Sequence, residues 1–360
     1  MNITVVGAGN IGTQFAVHCA EKLHDVTVFS SKPEKISKEL SIVNENGELI
    51  HKGTIKNATN DPETAFSNAE LILVTMPAFC MSDAAEKILP YAKNGMKICL
   101  VPGTGGGECA FRECFNKGAV IFGLQRVPSV ARLVEYGKCV RATGYRDELF
   151  VSAIPNSATE ECRQIIDGIF DGMKCSALPA YLNLTLTPSN PILHTTRLRT
   201  LYKEYTDGYV YESVPLFYEG WTDESSELLF KCDDEVQKLC RKLDMFDLSY
   251  VKSLRVHYES ETPEALTGKI RSINGFKGIT SPCVKVENGY IPDLDSRYFT
   301  ADFPYGLSIL IQIADFVGIE APYMKATLDW YYSIVGKNKE FRFSDYGINS
   351  LDDFIEFYSE

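Results

Sequence analysis

The chain opens with a short β-branched apolar run, residues 2–7, that ends in glycine. Residues 10–22 then place Ile11, Phe15 and Cys19 on one side of a helix. This predicts a strand, a tight turn and a helix. Near-continuous apolar runs return at 26–29, 71–76, 97–101 and 119–124, with a helical stretch at 82–91 between the third and fourth strands. Strands apolar on both faces and separated by helical segments predict a parallel sheet covered on both sides, because each parallel connection needs a crossover. Runs at 150–154 and 175–178 flank a helical pattern at 159–173 and complete that domain. Residues 42–55, with Asn46-Gly47 and Lys52-Gly53, predict a hairpin insertion.

After about residue 182 such strands stop and long helical patterns begin. Asn190 reads as an N-cap ahead of Pro191, and Leu193, Arg197, Leu198, Leu201 and Tyr205 continue a helical stripe. Further helices are expected over 224–243, 263–273, 304–317 and 323–334. The prediction is an α/β chain with a doubly wound parallel-sheet domain at 1–181 and a mostly α-helical domain at 182–360. The length of 360 residues suits two domains at roughly 150 residues each.

Composition changes this picture mainly by exclusion. The 36 basic and 48 acidic residues leave a net charge of −12, which disfavours nucleic acid and anionic membrane as partners. No run of 18 apolar residues occurs and the N-terminus shows no targeting pattern, so a cytoplasmic protein is expected. Eleven cysteines without a C-x-x-C pair read as reduced core residues, with neither disulfides nor a metal site.

Gly7-Ala8-Gly9-Asn10-Ile11-Gly12 is a G-x-G-x-x-G between the first strand and the first helix, the place of the dinucleotide-binding turn in a Rossmann domain. Gly7 permits the tight turn, Gly9 lets the backbone approach a pyrophosphate, and Gly12 lets helix and strand pack closely. The second strand ends in Phe29-Ser30-Ser31-Lys32, with no carboxylate until Glu34. Two hydroxyls and a lysine suit a ribose 2′-phosphate better than a bare hydroxyl, so NADP is favoured over NAD, with a solvated Lys32 as the alternative. Met76 and Pro77, and the glycine-rich loop that begins with Gly103 and Thr104, follow strands at the carboxyl edge, where ligands of such sheets bind.

Of the five histidines, His18, His24, His51 and His257 have no evident partner in sequence. His194 lies in the first turn of the helix that opens the second domain, four residues after Asn190 and so on its face. Spacing alone leaves it equally readable as a buried structural histidine. In the segment 295–307, Arg297 offers a planar fork for a carboxylate and Asp302 could orient an imidazole; a mutual salt bridge with Asp302 as a cap is the other reading.

Taken together, the glycine turn, the segment 190–194 and the pattern R-Y-x-x-x-D-x-P-Y-G-L from Arg297 to Leu307 resemble the opine dehydrogenase family, the octopine and nopaline dehydrogenases. Residues 217–221 and 123–128 are also similar to it, and the likeness spans nearly the whole chain. The resemblance implies a Rossmann domain joined to a helical domain, with the active site in the cleft between them. It implies that the amino group of an amino acid condenses with an α-keto acid, and that a hydride from NAD(P)H reduces the imine. His194 matches the acid/base histidine, Asp302 the aspartate that polarises it, and Arg297 the arginine that holds a substrate carboxylate. Asn190 is carried along with that segment as a site residue. Glu219, Trp221 and the aromatic stretch from Tyr202 to Tyr218 are candidates for the amine side, with core packing the other reading of those aromatics, and a homodimer is compatible with the family. Two other readings stay open: a two-domain dehydrogenase of a simple keto or hydroxy acid, and a non-catalytic NADP-sensing protein. Cys109 or Cys114 as a nucleophile would be a further variant.

Overall fold

The computed structural model describes residues 1–187, 190–206, 208–336 and 340–360. They form two compact units, Met1–Thr185 with Asp352–Glu360, and Leu186–Leu351. The first unit therefore recruits the last helix, Leu351–Ser359, which the reading of 182–360 as one domain did not anticipate. Its aromatic side explains the recruitment. Phe354, Phe357 and Tyr358 are buried, and the Tyr358 hydroxyl donates to the carboxylate of Glu108 at 2.7 Å.

The first unit is built on β1 (Asn2–Val6), β2 (Asp25–Phe29), β3 (Glu39–Val43), β4 (Leu49–Thr54), β5 (Asn57–Thr59), β6 (Leu71–Val74), β7 (Lys97–Leu100), β8 (Val120–Leu124), β9 (Val130–Glu135), β10 (Cys139–Thr143), β11 (Glu148–Ile154) and β12 (Lys174–Ala177). Eight of these make one sheet in the order β12-β11-β8-β7-β6-β1-β2-β5. All of its pairings are parallel except β11 with β8. Ile3 and Val5 feed one hydrophobic cluster and Val6, Ile72 and Val74 another, so the sheet is buried on both faces, as continuous apolar strands require.

The expected hairpin is present as β3 and β4, but it is half of a second sheet, β4-β3-β10-β9. This sheet has a consequence for helix Asn10–Glu21, which follows the glycine turn. A Cβ on Gly53 of β4 would lie 2.7 Å from the Val17 carbonyl oxygen of that helix, so strand and helix touch backbone to backbone. The helix is consequently buried from Gly12 to Ala20, including the polar residues Thr13, Gln14 and His18.

In the second unit the helices Asn190–Leu201, Asp223–Lys242, Pro263–Ser272, Ser308–Phe316 and Pro322–Val335 pack around Trp221, Phe299, Phe303 and Tyr331. Helix starts follow capping chemistry: the Thr222 hydroxyl accepts from the Ser225 backbone N–H and Thr262 from Ala265. Asn190 is itself the first helical residue rather than the cap ahead of it, and Ser189 lies outside the described residues. A small hairpin, β13 (Cys283–Val286) and β14 (Gly289–Pro292), completes the unit. Among the described residues no helix is long and apolar enough to cross a membrane.

Candidate active site

Two sites emerge, one in each unit. In the first, Gly7 has φ +103°, a conformation that favours glycine, and its N–H donates to the Phe29 carbonyl at 3.0 Å, tying the turn to the end of β2. A Cβ on Gly12 would stand 1.9 Å from the Gly7 carbonyl oxygen, so only glycine lets the helix start here. A Cβ on Gly9 would meet nothing within 4 Å. The turn is thus closed beneath by Gly12 and open above Gly9, with the free N–H groups of the helix start beside it. That shape fits a pyrophosphate.

Side chains around the turn divide by use. Ala8 is buried and Ile11 packs on the core, so both are left with backbone groups for a ligand. The Asn10 side-chain oxygen accepts from the Leu133 N–H of β9 at 2.7 Å, which commits it to holding the second sheet. Ser30 is buried, and its hydroxyl is engaged with the Tyr136 phenol at 3.1 Å while accepting from the Lys32 N–H. Ser31 and Lys32 are exposed, and Lys32 has no ion pair among the described residues. Met76 lies against the turn, its sulfur 3.0 Å from where a Gly7 Cβ would be, and Pro77 is exposed beside it. Gly103 departs from its expected role. Its Cα faces Gly123 of β8 so closely that a Cβ would come within 2.8 Å of it, and packing accounts for this glycine without a ligand. Thr104 is half-buried in the same loop.

In the second unit, His194 is only 5% exposed. Its Nδ1 lies 2.8 Å from Asp302 Oδ2 and its Nε2 lies 2.9 Å from the Tyr218 hydroxyl. A carboxylate can only accept, so in the neutral imidazole Nδ1 carries the proton and Nε2 accepts from the phenol. Asp302 is therefore neither the partner of Arg297 nor a side-chain cap; it takes the imidazole. What brings it there is a wide turn, Phe303–Leu307, in which the Leu307 N–H donates to the Asp302 carbonyl. Gly306 of that turn rests on Pro191, where a Cβ would be 3.0 Å from the proline ring. Asn190, the neighbour of Pro191, is exposed. The segments 190–194 and 302–306 are thus one packing unit, although 108 residues separate His194 from Asp302.

Arg297 begins the short helix Arg297–Thr300, is exposed, and has no ion pair among the described residues. Its charge reaches the Tyr218 phenol. Burial raises the pKa of that phenol far above its ordinary value, with Tyr298, Tyr258 and Asp302 adding to the rise, and Arg297 opposes it. Imidazole, carboxylate and phenol therefore form one hydrogen-bonded chain, and the Arg297 charge is felt at its phenol end.

Tyr218, which the sequence offered only as the end of an aromatic stretch for the amine side or the core, meets the imidazole instead. It is placed by Arg197, one turn after His194 on the same helix. The buried Arg197 guanidinium donates to the carbonyls of Phe217 at 2.9 Å and Gly220 at 2.6 Å, and to the Ser225 hydroxyl at 3.3 Å. The Tyr218 ring lies parallel to Phe276 at 4.0 Å and to Trp221 at 6.4 Å. Trp221 is fully buried and Glu219 accepts from the Gly278 N–H at 2.7 Å, so both support this aromatic stack rather than an amine subsite.

The remaining histidines have partners after all. His24 meets the N-terminal amine at 3.3 Å, His51 Nδ1 lies 2.8 Å from Glu21, and His18 Nε2 lies 3.3 Å from the Tyr145 hydroxyl. His257 also takes part in interactions, including an edge contact with Tyr258. His18, Glu21 and His51 each bring one ligand atom within 4.8 Å of the others, the one such metal-sized group among the described residues. Each already has a polar partner there. All eleven cysteines are free. Cys109 and Cys114 are buried, and burial pushes their thiols up, Cys114 to about 12, so neither is a nucleophile.

Comparison with known proteins follows the division into units. Residues 177–335 match the family model described as NAD/NADP octopine/nopaline dehydrogenase, alpha-helical domain, and residues 3–149 match that of ketopantoate reductase PanE/ApbA. The tauropine dehydrogenase of Arabella iricolor is 26% identical over 332 residues, 83% of each chain. The octopine dehydrogenase of Pecten maximus is 24% identical, across 94% of this chain and 91% of its own. A solved octopine dehydrogenase structure with NADH and L-arginine superposes with a TM-score of 0.87 at 22% identity, covering 100% of this chain and 98% of that one. The half that carries His194, Asp302 and Arg297 is the half that matches the octopine/nopaline model, and along most of its length the chain is similar to the tauropine and octopine dehydrogenases.

Proposed function

We propose that the protein is an NAD(P)H-dependent opine-type dehydrogenase, joining the amino group of an amino acid to an α-keto acid and reducing the imine to a secondary amine dicarboxylate. The observation that carries this is His194 held by Asp302 beside an uncommitted Arg297, in the unit that matches the octopine/nopaline model. In this reading the first unit binds the cofactor and the second supplies substrate binding and proton transfer.

The turn from Gly7 to Gly12 would hold the nucleotide, with the N–H groups of the helix start available to its phosphates. When bound there, the reduced nicotinamide supplies the hydride. Arg297 pairs with the keto acid carboxylate through its planar fork. His194 delivers the proton that the nitrogen needs, and Asp302 holds the Nδ1–H and stabilises the imidazolium before that delivery. Asn190 borders this site at the helix start. The exposed Ser31 and Lys32, with no acidic residue until Glu34, favour NADP over NAD. Eleven free thiols fit a reducing compartment, and we place the enzyme in the cytoplasm.

The test is a matrix of α-keto acids against amino acids with NADPH and with NADH, following loss of reduced-cofactor absorbance. Oxidation that requires both co-substrates is expected, faster with NADPH. Oxidation by a keto acid alone would make the protein a hydroxy-acid dehydrogenase. Tight cofactor binding without turnover on any pair would make it a sensor.

A further inference from the structure

We infer that the Tyr218 phenol is a catalytic residue, the last member of a proton relay that runs from His194 Nε2 through the Tyr218 oxygen to the substrate nitrogen. This rests on the opine-dehydrogenase reading of His194 and extends it.

The argument begins with the imidazole, which has two nitrogens and has both engaged by protein groups: Nδ1 by Asp302 at 2.8 Å and Nε2 by Tyr218 at 2.9 Å. An imidazole so placed has no nitrogen left to meet a substrate. Either Tyr218 moves aside or the proton passes through it. The surroundings of Tyr218 oppose movement. Its ring stacks on Phe276 at 4.0 Å and runs nearly parallel to Trp221 at 6.4 Å, with planes at 15° and 6°. The carbonyls on either side of it in sequence, those of Phe217 and Gly220, are gripped by the guanidinium of Arg197. The Trp221 carbonyl is held in turn by Arg271, through Nε at 2.8 Å and through Nη2. Gly278, two residues after Phe276, is fastened to Glu219. Arg197 has no carboxylate partner among the described residues; its buried charge is satisfied by carbonyl and hydroxyl oxygens. Two backbone carbonyls thus take up a buried cation whose geometric effect is to fix Tyr218.

The relay balances. The imidazolium gives its Nε2 proton to the phenol oxygen as the phenol gives its own proton to the imine nitrogen. The imine carbon receives the hydride with its electron pair, the C=N bond becomes a C–N single bond, and the cofactor is left oxidised. Tyr218 ends as it began. Burial disfavours a phenolate here, so the two proton transfers occur together and not in sequence.

The experiment compares wild type, Tyr218→Phe and His194→Ala with the best co-substrate pair, on the single-turnover hydride step and in mixtures of H2O and D2O. The relay predicts that Tyr218→Phe slows this step by about 10- to 100-fold. Its cofactor Kd should stay within about 2-fold, because in the relay the phenol serves the substrate nitrogen and has no part in holding the nucleotide. In wild type the rate should bend against deuterium fraction, the mark of two protons moving at once, and in Tyr218→Phe it should be a straight line. The wild-type curvature is read without any variant, so it decides even if the phenylalanine protein folds poorly. A straight line in wild type, or an unchanged or faster step in Tyr218→Phe, overturns the relay. If His194→Ala is inactive while Tyr218→Phe is normal, the relay falls and the functional reading stands. If His194→Ala is itself near normal, the functional reading falls first.

Discussion

Around Gly7 the proposed ligand site is made of backbone: three glycines within six residues shape a turn, and the side chains between them face the core or the second sheet. Around His194 the proposed chemistry falls to side chains from residues 194, 218, 297 and 302, of which the imidazole, carboxylate and phenol are joined by hydrogen bonds across the second unit. A backbone site needs space and a helix start, and tolerates exchange of most side chains around it. A side-chain site needs a supporting shell, here Pro191 under Gly306 and Arg197 on the carbonyls beside Tyr218. The two should therefore fail differently when perturbed.

The largest failure should be chemical and confined to the second unit. His194→Ala is expected to lower kcat by about 10² to 10⁴ while leaving cofactor Kd unchanged, since the imidazole moves protons and does not hold the nucleotide. Steady-state rates beside equilibrium titration of cofactor fluorescence check both halves of the statement. A variant that loses cofactor affinity along with turnover would erase the contrast between the sites.

The glycine turn should fail in two separable ways. Gly12→Ala forces a Cβ against the Gly7 carbonyl and should cost the first unit about 1–3 kcal/mol, seen as a lower Tm. Gly9→Ala meets no protein atom, so Tm should hold while cofactor Kd rises. Equal effects of the two substitutions on both readouts would mean that Gly9 is not the point of ligand approach.

The helix that leaves this turn adds a pH dependence of its own. Burial, helped by His51 and Lys22, lowers the pKa of His18 from 6.5 to about 3, with Asp171 opposing. Between those values the unfolded chain holds a proton that the folded chain does not. The stability linked to neutral His18 is fully present above pH 6.5 and declines as the pH falls toward 3. At pH 5 the loss is about 2 kcal/mol. Thermal unfolding from pH 7 to pH 5 should therefore fall more steeply for wild type than for His18→Gln. Parallel curves would show that His18 is not buried in its neutral form.

Legibility in the sequence follows the same contrast. The expected helix at 224–243 is observed as Asp223–Lys242, and that at 263–273 as Pro263–Ser272, because amphipathic periodicity reports a local fact. The glycine turn was readable because its parts are contiguous. β9 was not, since its side chains are mostly exposed and only Ala131 is buried, which leaves no apolar run to find. His194 and Asp302 could be nominated from their segments, but not joined, because a 108-residue separation carries no periodic signal. Arg197 was legible only as part of a helical stripe and Tyr218 only as one aromatic of a stretch; their link was not, because Arg197 works through carbonyl oxygens, which every residue has. The burial of Trp221 and the bond from Gly278 to Glu219 were likewise unreadable, and both residues looked like substrate contacts until their partners were placed.

The smallest effect sharpens the backbone side of the comparison by asking what a single exposed charge adds to it. Lys32 and Ser31 are exposed beyond the end of β2, while Ser30 is already bonded to Tyr136. A solvated cation beside a 2′-phosphate contributes about 1 kcal/mol or less, and salt screens it. Lys32→Ala should thus raise the NADPH Kd by about 5-fold at low ionic strength, and less at 0.5 M salt. NADH offers the same pyrophosphate to the glycine turn but no 2′-phosphate to the lysine, so its Kd should stay within about 2-fold. Equal changes for both cofactors would place Lys32 on the pyrophosphate, and no change for either would leave it in solvent and remove the basis for an NADP preference.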